Sequence, residues 1–418
     1  MPARRPGKKR SRREAFSQHW AYLTAAGAEE RLLQILGGGA SRIGEGVVMV
    51  EGRPKDARGE PIEPAFARQA MSTAGDAVPL EKAALARALA REMTGAFRQG
   101  PAPWTLQVIA PDSSARAQDP RQRIAAAVDE TITEILDRAL PRKIADAFVD
   151  SAEEAEWLAQ IWIVNDEQAL AGFTRVTGAL SRWPAGRTPL ADRLEATSRA
   201  ELKLAEAFDW LGLSPDKGEV VVDLGALSGA WTQALHRQGA RVLMVDAHPP
   251  ALGISPKKVT PIEASPFVFA PDETVDWLVM HLNRRPLDAA KVIAKWGRRA
   301  WARHVLASFP LLGENAAAEL KQILQILDDA GWRGLRARQL YFDGDEVTVY
   351  GWLDPKRLAG GPKAPFRPRA HDRRQVTELI ARERTGREVR GSPLRGTSSP
   401  RGRPGHGRRS GPRRGPRG

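Results

Sequence analysis

The sequence contains no cysteine. That excludes disulfides, thiolate zinc sites and cysteine nucleophiles. Long apolar runs are also missing: none approaches the roughly 18–20 residues that span a bilayer. The basic start, Met1-Pro-Ala-Arg-Arg-Pro-Gly-Lys-Lys-Arg10, is followed by no apolar stretch, so a secretory signal is not expected. The seven histidines show no ligand spacing, which argues against a metal site. Acidic residues are scarce only at the two ends. Residues 1–14 hold seven Lys/Arg and one Glu, and residues 389–418 hold nine Arg and no acid. These ends account for the whole net charge of +14 and leave a nearly neutral body. Such segments bind polyanions by neutralising phosphate, without sequence preference. The expectations are a cytoplasmic monomer, no membrane, and contact with nucleic acid.

What is present is enough chain for two or three domains, 418 residues at 42% hydrophobic. Residues 1–18 read as a disordered basic arm. Residues 19–184 mix helical and strand patterns, as in an α+β domain. Helices are expected over Ala28–Leu36, Pro79–Gln99 and Arg121–Val149, the last broken at Pro141. Strands are expected over Gly46–Val50 and Trp104–Ile109, with Trp157–Phe173 folding back at Asn165-Asp166. A turn-rich connector, 181–195, opens the region 185–354. There, buried-strand patterns at Glu219–Asp223, Ala240–Asp246, Val275–Leu282 and His304–Phe309 alternate with helical ones. That alternation argues for a parallel sheet covered on both faces, a Rossmann-like α/β fold. One helix carries Ala316, Leu320, Ile323, Leu324 and Leu327 on one face and meets Gly331 at its C-cap. Asp343-Gly344 between two β-rich runs predicts a closing antiparallel hairpin. From residue 355 to 418, Pro, Gly and Arg predict a disordered tail, with at most a short helix over Gln375–Arg384.

The chemistry concentrates on Val220-Val-Val-Asp-Leu-Gly-Ala-Leu-Ser-Gly-Ala-Trp231. Gly225 and Gly229 follow a strand that ends near Asp223, where glycine lets backbone approach a ligand. The next strand ends in Asp246, placed to accept hydrogen bonds from a ribose diol. These residues alone also fit a plain strand-to-helix turn. Trp231 reads as packing.

The larger pattern is similar to a known family. Ser198-Arg-Ala-Glu-Leu-Lys-Leu204 resembles the opening helix of FtsJ-like ribose methyltransferases, and Asp223–Thr232 resembles their cofactor loop. Arg338-Gln-Leu-Tyr341 and Asp345-Glu-Val-Thr-Val349 resemble the closing hairpin of one branch, which methylates a cytidine 2′-hydroxyl of large-subunit ribosomal RNA. That branch carries a THUMP-like RNA-binding region, to which Ala65-Phe-Ala-Arg-Gln69 and Phe173-Thr-Arg-Val176 look similar. The resemblance implies S-adenosyl-L-methionine as cofactor and RNA, specifically ribosomal RNA, as partner. It implies cofactor contacts at Ser198, Asp223, Gly225, Leu227, Ser228, Gly229, Ala230 and Asp246. A Lys-Asp-Lys-Glu set works on the ribose hydroxyl in this family. Its first lysine matches Lys203 and its glutamate matches Glu346. Its aspartate falls on His281, and its second lysine falls within Ser308-Phe-Pro310, where no lysine stands. The acid that reads adenine falls near Ala264, beside Glu263.

Two readings follow. In the first, the chain is a methyltransferase of altered chemistry, with His281 as the base near neutral pH. In the second, it is a non-catalytic RNA-binding protein on the same scaffold. A nicotinamide or flavin oxidoreductase is disfavoured by the incomplete glycine fingerprint and the closing hairpin.

Overall fold

The structure, a computed structural model, describes residues 19–56, 59–98, 100–113, 119–194, 198–311 and 313–358. The basic arm 1–18, the tail from 359 and the helix expected over 375–384 lie outside the described residues. No helix among the described residues is long and apolar enough to cross a membrane.

Two sheets organise the chain. The first is built from β1 (His19–Thr24), β2 (Ala40–Gly44), β3 (Val47–Glu51), β4 (Ala67–Thr73), β5 (Val78–Pro79), β6 (Trp104–Ile109), β7 (Trp157–Ile163) and β8 (Gln168–Arg175). Its order is β2-β3-β1-β4-β8-β7-β6, with β5 paired to β8. Only β6 and β7 run parallel; every other pair is antiparallel. The helix α1 (Glu29–Leu36) links β1 to β2, and α2 (Lys82–Ala96) and α3 (Pro120–Ala139) cover one face. Leu85, Leu89 and Met93 of α2 and Ile132 and Leu136 of α3 pack onto Ile161, Ile163 and Phe173. Asp119 caps α3 through the Arg121 N–H, and Pro120 sits in its first turn, where a missing N–H costs nothing. Pro141 ends the helical run, and a short α4 (Arg142–Ala145) follows. The α+β expectation for this region holds.

Five strands have no counterpart in the expectations, β1, β2, β4 and β5 here and one in the second sheet, and three of them have a physical reason. β4 buries Arg68 and Gln69, so its residues do not alternate apolar with polar. β2 is short and has no buried residue. A third, β11 (Val259–Glu263) in the second sheet, contains Pro261, which is tolerated because it lies at the edge.

The short α5 (Leu190–Arg193) precedes the second sheet. That sheet comprises β9 (Val220–Leu224), β10 (Arg241–Asp246), β11 (Val259–Glu263), β12 (Val275–His281), β13 (Ala302–Pro310), β14 (Trp332–Arg338) and β15 (Glu346–Leu353), in the order β11-β10-β9-β12-β13-β15-β14. The first five are parallel; β15 runs antiparallel to both neighbours. Alternate residues feed opposite cores. Val221, Val242, Met244, Trp277 and Leu306 face α6 (Arg199–Leu211) and α7 (Ala230–Arg237). Val222, Leu278, Met280, Val305 and Phe309 face α8 (Pro286–Arg299) and α9 (Ala316–Asp329). Gly331 follows α9 with φ 95° and closes its C-terminus, as expected. A last turn, α10 (Pro355–Leu358), ends the described chain.

The hairpin expectation needs one correction. Strand β14 ends at Arg338, and seven residues rather than a two-residue turn join it to β15. Asp343 is not a solvent-facing turn residue. Its buried carboxylate accepts the Leu340 N–H and the Thr348 hydroxyl, which pulls the loop inward.

Candidate active site

In open α/β sheets, binding crevices form where strand order reverses, outside the carboxyl ends of the strands. Here β10 lies on one side of β9 and β12 on the other, so the crevice opens beyond Leu224 and His281. The glycine loop sits there. Gly225 has φ 86°, and a Cβ on it would fall 2.2 Å from Leu282 Cδ2. Gly229, at φ 75°, opens α7 and would drive a Cβ into Leu252. Between them Leu227 adopts φ 49° and is 43% exposed, with Ser228 exposed beside it. The Asp246 carboxylate accepts the Leu227 N–H (3.2 Å) and the His248 N–H (2.9 Å), tying the loop to the end of β10.

Several expected cofactor residues do structural work. Asp223 is buried and takes the Thr232 hydroxyl proton in a 2.6 Å bond. Ser198 caps α6 by accepting the Glu201 N–H. Ala230 starts α7, and Trp231 is buried, its indole N–H bonded to the Ala200 carbonyl. Glu263 is exposed and pairs in register with Asp246.

The expected ribose-hydroxyl set converges. α6 carries Lys203 inward, β12 ends on His281, and β15 begins on Glu346. Register places His281 opposite Ser308 on β13, and Pro310 opposite Glu346 on β15. The Glu346 carboxylate is the hub. Lys203 Nζ donates to Oε2 at 2.5 Å, and the Ser308 hydroxyl donates to the same oxygen. His281 Nε2 lies 3.3 Å from Oε1 and 3.2 Å from Oε2. Lys203 Nζ is also 3.4 Å from Ser308 Oγ and 4.0 Å from Asp343 Oδ1. Lys203 is nearly sealed at 6% side-chain exposure, Glu346 stands at 23%, and His281 is the most open at 28%. The Trp231 ring stacks on His281 at 5.5 Å.

Burial pushes Glu346 up, but hydrogen bonding and charge from His281, with Lys203, outweigh it and bring it down to about 2. It is therefore a carboxylate at neutral pH. Burial raises Asp343 to about 7 against the pull of Lys203, and raises Asp223 to about 6 against the Thr232 hydroxyl. Two members of the cluster escaped the sequence. Ser308 stands where a lysine was expected and binds the same carboxylate, and Asp343 had been read as a turn residue.

Asp343 gives a pH prediction. Its carboxyl titrates near 7 in the fold and near ~4 unfolded. The folded state thus holds an extra proton between those values, and its stabilising effect is lost as pH rises through the window. Urea unfolding of wild type and Asp343→Asn should show the wild type losing stability relative to the variant from pH 5 to pH 8. A difference that does not change with pH would refute the assignment.

Residues 196–277 match the model of the FtsJ-like methyltransferase family. That stretch holds α6, the glycine loop and strands β9 to β11, so this part of the chain is similar to that family. The chain is 36% identical over 178 residues to the ribosomal RNA large subunit methyltransferase M of Halorhodospira halophila, covering 41% of this chain and 52% of that protein. With the protein of the same name from Alkalilimnicola ehrlichii it shares 32% over 203 residues, covering 46% and 55%. The chain thus spans about half the length of the curated relatives it matches. Among solved structures, the fibrillarin of Aeropyrum pernix in complex with S-adenosyl-L-methionine is 20% identical, covering 46% of this chain and 82% of that one. Its TM-score of 0.29 is too low to bear on the fold. The strand order and the antiparallel β15 show the Rossmann-like α/β fold on their own.

Proposed function

We propose that the chain is an S-adenosyl-L-methionine-dependent methyltransferase that modifies a ribose 2′-hydroxyl of RNA. Large-subunit ribosomal RNA is the substrate class suggested by the relatives' name. One observation carries the reading: Lys203, His281, Ser308 and Glu346 converge at the sheet edge that also holds the glycine loop. A non-catalytic scaffold has no need of a buried lysine and a half-open histidine on one carboxylate. The loop fits the cofactor. It is open at Leu227 and Ser228, its glycines keep side chains out of the crevice, and each Asp246 oxygen keeps a lone pair after its backbone bond. Gly225, Leu227, Ser228, Gly229 and Asp246 would hold it, with Ala230 opening the helix beneath.

When bound, the cofactor supplies an electrophilic methyl group on a sulfonium. The chain supplies the activated hydroxyl. Glu346, ionised and fixed by Lys203 and Ser308, holds the His281 proton on Nε2. That leaves the Nδ1 lone pair to take the hydroxyl proton. Lys203 sits between Glu346 and Asp343 and acts by orienting the carboxylate. Residues 19–184 serve as the RNA-binding, THUMP-like region, and the Arg-rich ends neutralise phosphate in a cytoplasmic monomer.

Calorimetric titration tests the cofactor half. S-adenosylmethionine and S-adenosylhomocysteine should both give saturable heats. No heat at millimolar cofactor would sink the reading.

A further inference from the structure

The first sheet contains a cavity of about 570 Å³ that shares no residue with the transfer site. Its walls come from β1, β4, α2, β7 and β8. Three aromatic rings line it, Trp20, Trp157 and Phe173. Trp157 and Phe173 lie parallel, 4.9 Å apart and 9° from coplanar, and Phe97 abuts both edge-on. The surroundings of these rings are cationic. Arg53, Arg91, Arg98 and Arg175 line the cavity against one acid, Glu92. Two of these guanidiniums already lie on the rings: Arg53 at 4.5 Å from the Trp20 centroid and Arg175 at 5.0 Å from Trp157. The Ser72 and Thr174 side chains add polar atoms to the lining.

The combination selects its ligand. A bare anion needs no aromatic wall, and an apolar ligand needs no arginine surplus. A phosphorylated nucleoside uses both, because every base has a π-face and every nucleotide a phosphate. We propose that this cavity binds one nucleotide, its base against the Trp157 platform and its phosphate among Arg53, Arg98 and Arg175. A single-stranded RNA segment is the favoured source, which would anchor substrate away from the reacting ribose. Only that choice of source rests on the function proposed above; the cavity's own chemistry does not.

Fluorescence anisotropy with a short labelled single-stranded oligoribonucleotide tests it on the full chain, with cytidine 5′-monophosphate as the free-nucleotide arm. Trp157→Leu should weaken oligonucleotide binding roughly 5- to 100-fold, the range of one lost base–aromatic stack. Arg98→Gln and Arg175→Gln, both at exposed positions, keep the test valid should Trp157→Leu misfold. Each should lower the slope of log affinity against log salt by about 0.7, one single-strand phosphate contact. Unchanged affinity and slope for both ligands in all variants would overturn the site. Loss confined to the mononucleotide would keep the site and overturn the RNA source. Cofactor titration should match wild type in every variant. A wild type that binds no cofactor but still shows these RNA effects would refute the methyltransferase reading and leave this one standing.

Discussion

His281→Ala should slow methyl transfer to RNA by about 10²–10⁴-fold, the usual worth of a positioned general base, with cofactor affinity unchanged. The geometry argues for His281 rather than Lys203. Lys203 Nζ is spent on Glu346 at 2.5 Å and is nearly sealed from solvent, so it has no route to substrate. His281 is the most open member of the set and points Nε2 at the same carboxylate. A carboxylate bonded to Nε2 favours the neutral tautomer that keeps its proton there and leaves Nδ1 free. His281→Gln separates this role from mere positioning. Its amide can still donate to Glu346 but carries no basic nitrogen, so it should be as slow as the alanine variant. Recovery of most activity in His281→Gln would show that the imidazole only orients Glu346. Glu346→Gln should lose less, about 10- to 100-fold, because the imidazole remains and only its tautomer is released.

The parts of this site that were legible in sequence are those that local chemistry dictates. Gly225 and Gly229 announce a turn that no side chain fits, and the structure shows Leu282 and Leu252 in the way. Lys203, His281 and Glu346 were readable only through the resemblance, since a lysine on a helix or an acid opening a strand is ordinarily solvated. Ser308 was invisible because a serine inside an apolar strand carries no signal. Its role comes from register, which sets it opposite His281 and within reach of Glu346. Asp343 misled because Asp-Gly is so strong a local turn signal. Tertiary burial overrode that signal. Glu206, one turn of α6 beyond Lys203, accepts the Tyr341 and Phe342 N–H groups and reels the loop onto the helix. In the first sheet the same override hid β4, whose buried Arg68 and Gln69 make sense only once their partners Asp112 and Gln107 are seen.

The same loop joins the two sheets, and its anchor should be costly to remove. Arg338 ends β14 with its guanidinium buried, and burial lowers it to about 10. It donates to the Leu180 carbonyl at 2.7 Å and to the Arg68 carbonyl at 2.6 Å, both outside its own sheet. Beside it the Gln339 N–H bonds the Ala65 carbonyl. Arg338→Met keeps the apolar stem but strands two buried carbonyls, which should cost about 3 kcal/mol and lower the melting temperature by roughly 5–10 °C in calorimetry. Arg338→Lys should recover less than half of this, because one ammonium does not match the planar fork that spans both carbonyls. A melting temperature equal to wild type in Arg338→Met would mean that water replaces the guanidinium without loss, and that the remaining contacts hold the sheets together. The anchor also bears on the reaction. Residues 339–345 run directly from Arg338 to Glu346, so slack at Arg338 reaches Asp343 and the hub carboxylate before it reaches anything else in the second sheet. Arg338→Met should therefore lower turnover at temperatures where it is still fully folded.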